Sequence, residues 1–197
     1  MKAAILYATS NPGKIREIGR LFGFHGLEVH ALADFLPGVT LDPEENGSSL
    51  GDNALIKARA YAEAVSAAPS MRGRSFVVMS DDTGIFIDGL HGEPGIRVRR
   101  WVGRKMNDEE IIEHCLRSMS GISGEDRAAT FRTVLCMLPV SADGKVGEAV
   151  TAEGELRGHI LEAASASRRS SAASTTTANA PSRRPYRSSG GWWGGET

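Results

Sequence analysis

Lys14 closes the hydroxyl- and amide-bearing stretch Ala8-Thr9-Ser10-Asn11-Pro12-Gly13, which follows a short apolar run. A turn that leaves a strand and opens a helix gathers backbone N–H groups at the positive end of the helix dipole, so phosphate oxygens fit there. Lys14 adds a full positive charge, and Thr9, Ser10 and Asn11 add side-chain donors able to hold a triphosphate. The bland alternative is that Asn11-Pro12-Gly13 is only a turn and Lys14 a solvated surface residue. The stretch lacks the Gly-x-x-x-x-Gly-Lys-Ser/Thr spacing, so a P-loop mechanism is not implied.

A second stretch, Ser80-Asp81-Asp82-Thr83-Gly84, places two carboxylates side by side at the end of an apolar run. Adjacent carboxylates there are costly unless solvated, capped or neutralised by a cation. Magnesium is the natural candidate, because it takes a few carboxylates together with waters and substrate phosphates. An Asp-Thr-Gly between apolar segments is also found in aspartic proteases, but those need two such motifs or a homodimer, and Asp81 would be an odd neighbour. A third stretch joins the acidic loop Glu44-Glu45-Asn46-Gly47 to a helix start at Asp52-Asn53. By itself it reads as a loop with solvated glutamates and a helix capped by Asp52 and Asn53.

The elements that must position these groups alternate between strand and helix. Ala3 to Ala8 reads as a strand and Leu27 to Leu32 as a second, while Ile15, Ile18, Leu21 and Phe22 recur at helical spacing between them. Ser49 to Ala68 predicts a helix with Ala54, Ala58, Tyr61, Ala62 and Val65 on one face, ended by Pro69 and Gly73. Phe76 to Met79 and Ile85 to Ile87 read as strand segments on either side of an Asp-Asp-Thr-Gly turn. A helix over Asn107 to Met119, with Asn107 as cap, and strands over Phe131 to Leu138 and Val146 to Ala152 complete an α/β pattern.

Composition bounds the class. A chain of 197 residues, 41% hydrophobic, suits one globular domain with or without a disordered end, and a net charge of -1 gives no global attraction to nucleic acid or anionic membrane. Nothing reads as an export signal or a spanning helix, so a cytoplasmic protein is the expectation. Cys115 and Cys136 have no metal-ligand spacing and read as buried thiols.

Five stretches taken together, 8–18, 45–58, Ser-Asp-Asp-Thr-Gly at 80–84, Leu-His-Gly-Glu-Pro-Gly-Ile at 90–96 and Ala-Thr-Phe-Arg-Thr-Val-Leu at 129–135, resemble the inosine/xanthosine triphosphate pyrophosphatases in order and content. The resemblance runs from Met1 to about Leu161. It implies an elongated mixed α/β fold with a central twisted sheet, a homodimer, and Mg²⁺-dependent hydrolysis of ITP, dITP or XTP to the monophosphate and pyrophosphate. It further implies that Thr9, Ser10, Asn11, Pro12, Gly13 and Lys14 bind the triphosphate, with Thr83 beside the substrate where the family usually has serine. Glu45 and Asp82 match metal-binding positions, and Asp82 or Asp81 would accept a proton from the attacking water. Asp52 stands where glutamate is more usual, and Arg97-Val98-Arg99-Arg100-Trp101 carries extra positive charge relative to the family pattern.

After Gly158-His159-Ile160-Leu161 the resemblance stops. The family's Pro-Arg-Gly turn, Gly-Phe-Gly-Tyr-Asp-Pro segment, lysine and Ser-His-Arg, which bind base and phosphates, have no counterpart; Ser165 to Arg169 and Tyr186-Arg187 are superficial echoes. The chain is thus expected to comprise a pyrophosphatase-like domain over 1–161, incomplete at its C-terminus, and a disordered Ser/Ala/Arg/Gly-rich tail over 162–197. That bias, with arginine but no lysine, is what an out-of-frame reading of a GC-rich gene produces, which sets a poorly stable, weakly active product against an active enzyme. A third alternative is an arginine- and tryptophan-bearing tail that binds RNA.

Overall fold

The computed structural model describes residues 4–163. The tail expectations therefore lie outside the described residues. The described chain forms strand β1 (Ala4–Tyr7), helix α1 (Pro12–Gly23), strand β2 (Val29–His30), helix α2 (Leu50–Ser66), strands β3 (Phe76–Ile87) and β4 (Pro94–Gly95), helix α3 (Asp108–Ser118), and strands β5 (Ala128–Val140) and β6 (Val150–His159). This is a mixed α/β fold, with one sheet ordered β2-β1-β3-β5-β6 and β4 paired to β3. Strand β1 is parallel to both β2 and β3, whereas β4 is antiparallel to β3. No described helix is long and apolar enough to cross a membrane.

Two compact units can be distinguished, the first containing residues up to Asp82 with Thr133–Glu153, and the second Thr83–Arg132 with the chain from Gly154. In the first unit α1 is an amphipathic helix whose Ile15, Ile18 and Phe22 cover Ile5, Tyr7 and Met79. The alanine-rich face of α2 packs on the other side, where Ala54, Ala58, Ala62 and Val65 meet Leu6, Ala8, Val78 and Leu138. Both sheet faces are covered, so β1 and β3 read as near-continuous apolar runs. Small side chains at 54 and 58 allow a close approach, and the Ser80 hydroxyl donates to the Ala54 carbonyl at 2.6 Å.

The second unit has its own core of Ile85, Ile87, Met119, Ala129, Phe131 and Ile160. Arg127, 8% exposed, donates to the carbonyls of Ile160, Leu161, Met119 and Ile122 at 2.7–3.2 Å, tying the end of β6 to the turn after α3. Asn107 caps α3 and Glu110 completes its capping box. Arg99 pairs with Asp108 at 2.6 Å, which gives one of the additional arginines in the 97–101 segment a local partner in the acidic first turn of α3.

Three sequence expectations change. Asp81-Asp82-Thr83-Gly84 is not a turn but the middle of one continuous strand, Phe76–Ile87. Asp and Gly favour turns when the side chain bonds its own backbone; here both aspartates bond to other elements, and the strand runs on. The second strand shrinks to Val29–His30, because Leu32–Asp34 turns into a 3₁₀ helix that Asp34 closes by accepting from the Ala31 N–H at 2.9 Å. The last strand lies at Val150–His159 rather than 146–152; it is an exposed edge, and Thr151-Ala152-Glu153-Gly154-Glu155 carries no apolar alternation to announce it.

Candidate active site

Order along the sheet explains where the site lies. From β1 the chain passes through α1 to β2 on one side, then through α2 to β3 on the other. The β1/β3 boundary is a topological switch point, and crevices at the carboxyl ends of such strands are where open α/β sheets bind ligands. Tyr7, the last residue of β1, pairs with Met79, and β3 continues beyond it, so Asp81 and Asp82 lie just past the end of β1.

The strand pleat separates the two carboxylates, since successive side chains point to opposite faces. Asp81 shares its face with Met79 and meets β1 and α1: its Oδ1 accepts from the Tyr7 hydroxyl and its Oδ2 from Lys14 Nζ, each at 2.6 Å. Asp82 shares its face with Ser80 and Val78 and meets α2, where Asn53 Nδ2 donates to its Oδ2 at 3.1 Å. The residues are only 7% and 8% exposed. Burial raises the Asp81 carboxyl, but the Lys14 charge and the hydrogen bonds from Lys14 and Tyr7 outweigh it and hold Asp81 below the usual carboxylate range. Burial, then the Asp81 charge and hydrogen bond, push the Tyr7 phenol far above its ordinary value, so it stays a donor.

Lys57, one turn after Asn53 on α2, joins the same cluster. Its Nζ donates to Glu45 Oε1 at 2.9 Å and to the Asp81 carbonyl at 2.8 Å. Burial alone would lower the ammonium, yet Glu45, Asp81 and Asp82 outweigh it and raise it above its ordinary value. The loop that carries Glu45 is seated through Gly47, whose N–H donates to Asn53 Oδ1 at 2.8 Å. A Cβ at Gly47 would fall 2.5 Å from the Asp52 Cβ and 2.8 Å from Asn53 Oδ1, so only glycine fits. Asn53 therefore bridges the Glu45 loop to Asp82, a different task from the capping read in the sequence. The N-cap is Ser49, which accepts from the Asp52 N–H, while Asp52 accepts from Ser48.

The turn into α1 has the expected form but is largely self-satisfied. Asn11 is its N-cap, accepting from Gly13 N at 2.8 Å and Lys14 N at 3.4 Å. Thr9 Oγ1 accepts from Asn11 N at 3.2 Å, and Pro12 has no N–H to offer. Of the backbone donors expected to face phosphate, those of Thr9, Asn11, Gly13 and Lys14 are thus already engaged. Exposed Ser10 keeps its N–H and hydroxyl without a protein partner among the described residues. Thr83, the residue after Asp82, is half-buried in β3 and belongs to the second unit.

Sequence reasoning thus named Lys14, Glu45, Asp81 and Asp82; the fold pairs Lys14 with Asp81, brings Tyr7 and Lys57, to which that reasoning gave no role, onto Asp81 and Glu45, and turns Asn53, read as a cap, onto Asp82. Asn53 and Lys57 were signalled by their spacing of four within the 45–58 stretch. Tyr7 was signalled only by a hydroxyl in an apolar strand. Among the described residues no group of three or more His, Cys, Asp or Glu forms a metal cage. Glu45 and Asp82 are carboxylates, the oxygen donors magnesium takes alongside substrate phosphates and waters, and here they bond to Lys57 and Asn53 respectively.

Fold and site define a mixed α/β protein with cationic and carboxylate groups collected just past the carboxyl end of β1, beside the middle of β3. The chain belongs to the Ham1 family, whose model matches residues 5–170. A curated relative, the dITP/XTP pyrophosphatase of Bacillus subtilis (strain 168), is 39% identical over 162 residues, covering 82% of this chain and 73% of the relative. Among solved structures, the Staphylococcus aureus Ham1 protein is 30% identical with a TM-score of 0.61, over 82% of this chain and 74% of that one. A nucleoside-triphosphatase, or dITP/XTP pyrophosphatase, from Mycobacterium abscessus is 32% identical with a TM-score of 0.57, over 82% and 75%.

Proposed function

We propose that this protein hydrolyses non-standard purine nucleoside triphosphates, ITP, dITP or XTP, to the monophosphate and pyrophosphate with magnesium, removing them from the nucleotide pool. The observation that carries the reading is the meeting of Lys14, Lys57, Glu45, Asp81 and Asp82 beside the turn into α1, in a Ham1 chain whose curated relatives are named dITP/XTP pyrophosphatases. The cytoplasmic setting and homodimer belong to the same reading.

Glu45 and Asp82 would hold the magnesium ion, which when bound offsets phosphate charge and makes a water easier to deprotonate. Asp82 is the proton acceptor in this reading: Asp81 has one oxygen on a lysine and the other on a phenol, and its basicity is correspondingly depressed, while Asn53 Nδ2 donates to one oxygen of Asp82. Asp82 takes the proton of water attacking the α-phosphorus, and pyrophosphate leaves. Lys14 and Lys57 transfer from their carboxylate partners to phosphate oxygens, where they oppose charge that grows on the leaving pyrophosphate. Ser10 and Thr9 supply further donors on the same turn.

A second reading is favoured by one observation: although the family model reaches residue 170, the Gly-Phe-Gly-Tyr-Asp-Pro and Ser-His-Arg segments named above do not occur after Leu161. In it the chain keeps the triphosphate half-site and turns over slowly. Pyrophosphate release from dITP by the full chain separates the two. Turnover near that of an intact relative, abolished by omitting magnesium and lowered about a hundredfold or more by Asp82→Asn, supports the enzyme. Triphosphate binding without turnover supports the half-site, and neither binding nor turnover removes both.

A further inference from the structure

Tyr7 is a buried polar group, in contact with the site, for which the proposed mechanism has no use. It is 2% exposed, ends an otherwise apolar strand, and its hydroxyl donates to Asp81 Oδ1 at 2.6 Å while Lys14 holds Oδ2 at the same distance. A phenylalanine would fill the same apolar space beside Ile5 and Met79. Packing therefore explains the ring but not the oxygen.

The oxygen matters once Lys14 has to move. The Asp81 side chain is 9% exposed, and Lys14 is its salt-bridge partner. A lysine drawn from a buried carboxylate to a phosphate leaves that carboxylate short of a partner, and an unpaired buried charge is among the costliest groups in a fold. Lys57 approaches Asp81 through the backbone carbonyl rather than the carboxylate oxygens, so it offers electrostatic relief without replacing the lost hydrogen bond.

Resting on the reading of Lys14 as a phosphate ligand, we infer that Tyr7 is a positioning residue for the triphosphate: by holding Asp81 Oδ1 it allows Lys14 to leave Oδ2 for a phosphate oxygen without stranding the carboxylate. Tyr7 never touches substrate. It lowers the cost of releasing the residue that does, which separates it from a residue that merely supports the fold. The protonated phenol suits the task, because it donates to Asp81 whether or not Lys14 is present.

The test is calorimetric binding of magnesium tripolyphosphate, a probe with no base, to the full chain. Tyr7→Phe weakens binding roughly ten- to a hundredfold, the range expected when a charged group loses its remaining hydrogen bond. The weakening disappears in a Lys14→Met background, where no lysine leaves Asp81 on binding. Equal affinity of wild type and Tyr7→Phe overturns the inference, as does an equal weakening in both backgrounds, which would mark a role in shape alone. Asp81→Asn gives an independent reading should Tyr7→Phe fold poorly. With no carboxylate to strand, it binds the probe at least as tightly as wild type, and weaker binding contradicts the inference. A wild-type chain that fails to bind the probe overturns the phosphate-site reading and this inference together, whereas wild-type binding with an unaffected Tyr7→Phe overturns the inference alone.

Discussion

Replacing Lys57 by methionine keeps most of the side-chain volume and removes the charge that joins Glu45 to β3. The ammonium makes two short contacts, 2.9 Å to the Glu45 carboxylate and 2.8 Å to the Asp81 carbonyl. A hydrogen bond involving a charged group contributes about 1.5–3 kcal/mol, and removing one partner of a fully buried pair costs about 3–5 kcal/mol. This pair is not fully buried: the Lys57 side chain is 17% exposed and that of Glu45 31%, so Glu45 regains water when its loop loosens. Partial solvation brings the expected cost to about 2 kcal/mol. For a chain of this length that is about 4–8 °C in Tm, read by circular dichroism at pH 7 in low salt. The variant also leaves Glu45, Asp81 and Asp82 with one cation fewer, so added Mg²⁺ raises its Tm more than that of the wild type. A Lys57→Met protein that melts within about 1 °C of wild type and responds to Mg²⁺ no differently would refute the assignment of Lys57 as the counter-ion of this cluster.

Gly47→Ala places a methyl against Asp52 and Asn53, pushing the Glu45 loop off α2; it lowers stability by roughly 1–3 kcal/mol and reduces Mg²⁺-dependent triphosphate binding, both measurable by titration. Asp81, held below its ordinary value of 3.8, contributes stability that is present above that pH and lost as pH falls through its lower folded value. Urea titrations of wild type and Asp81→Asn between about pH 2 and 5 therefore converge toward acid, and a constant difference would count against the pairing with Lys14 and Tyr7. Arg127→Met removes the guanidinium donors from the carbonyls of Met119, Ile122, Ile160 and Leu161, of which that of Met119 keeps the Ile122 N–H and that of exposed Leu161 can turn to water. It costs about 3 kcal/mol or more, and hydrogen exchange rises first in β6 and the turn after α3.

The sequence made the first half of this account readable because its local signals agree with the fold. Asn11-Pro12-Gly13 starts α1, the alanines of α2 mark the face that lies on β3, and Asn107 with Glu110 starts α3. Asp81 and Asp82 were legible as chemistry but not as strand. Their residue types favour a turn, and only the partners brought by β1, α1 and α2 hold them in an extended backbone. Tyr7 and Lys57 were hidden for the same reason: a phenol and an ammonium gain their meaning from Asp81 and Glu45, which are 74 and 12 positions away. The edge strand β6 was misplaced because an exposed edge imposes no hydrophobic alternation on its residues.

In the proposed function Asp82 and the lysines beside it direct water to the α-phosphorus. Turnover of dITP by the full chain in oxygen-18 water with Mg²⁺ tests it directly, by mass spectrometry of both products. Attack at the α-phosphorus puts label in the deoxyinosine monophosphate and none in the pyrophosphate. Label in pyrophosphate, or release of orthophosphate and a nucleoside diphosphate, would contradict it.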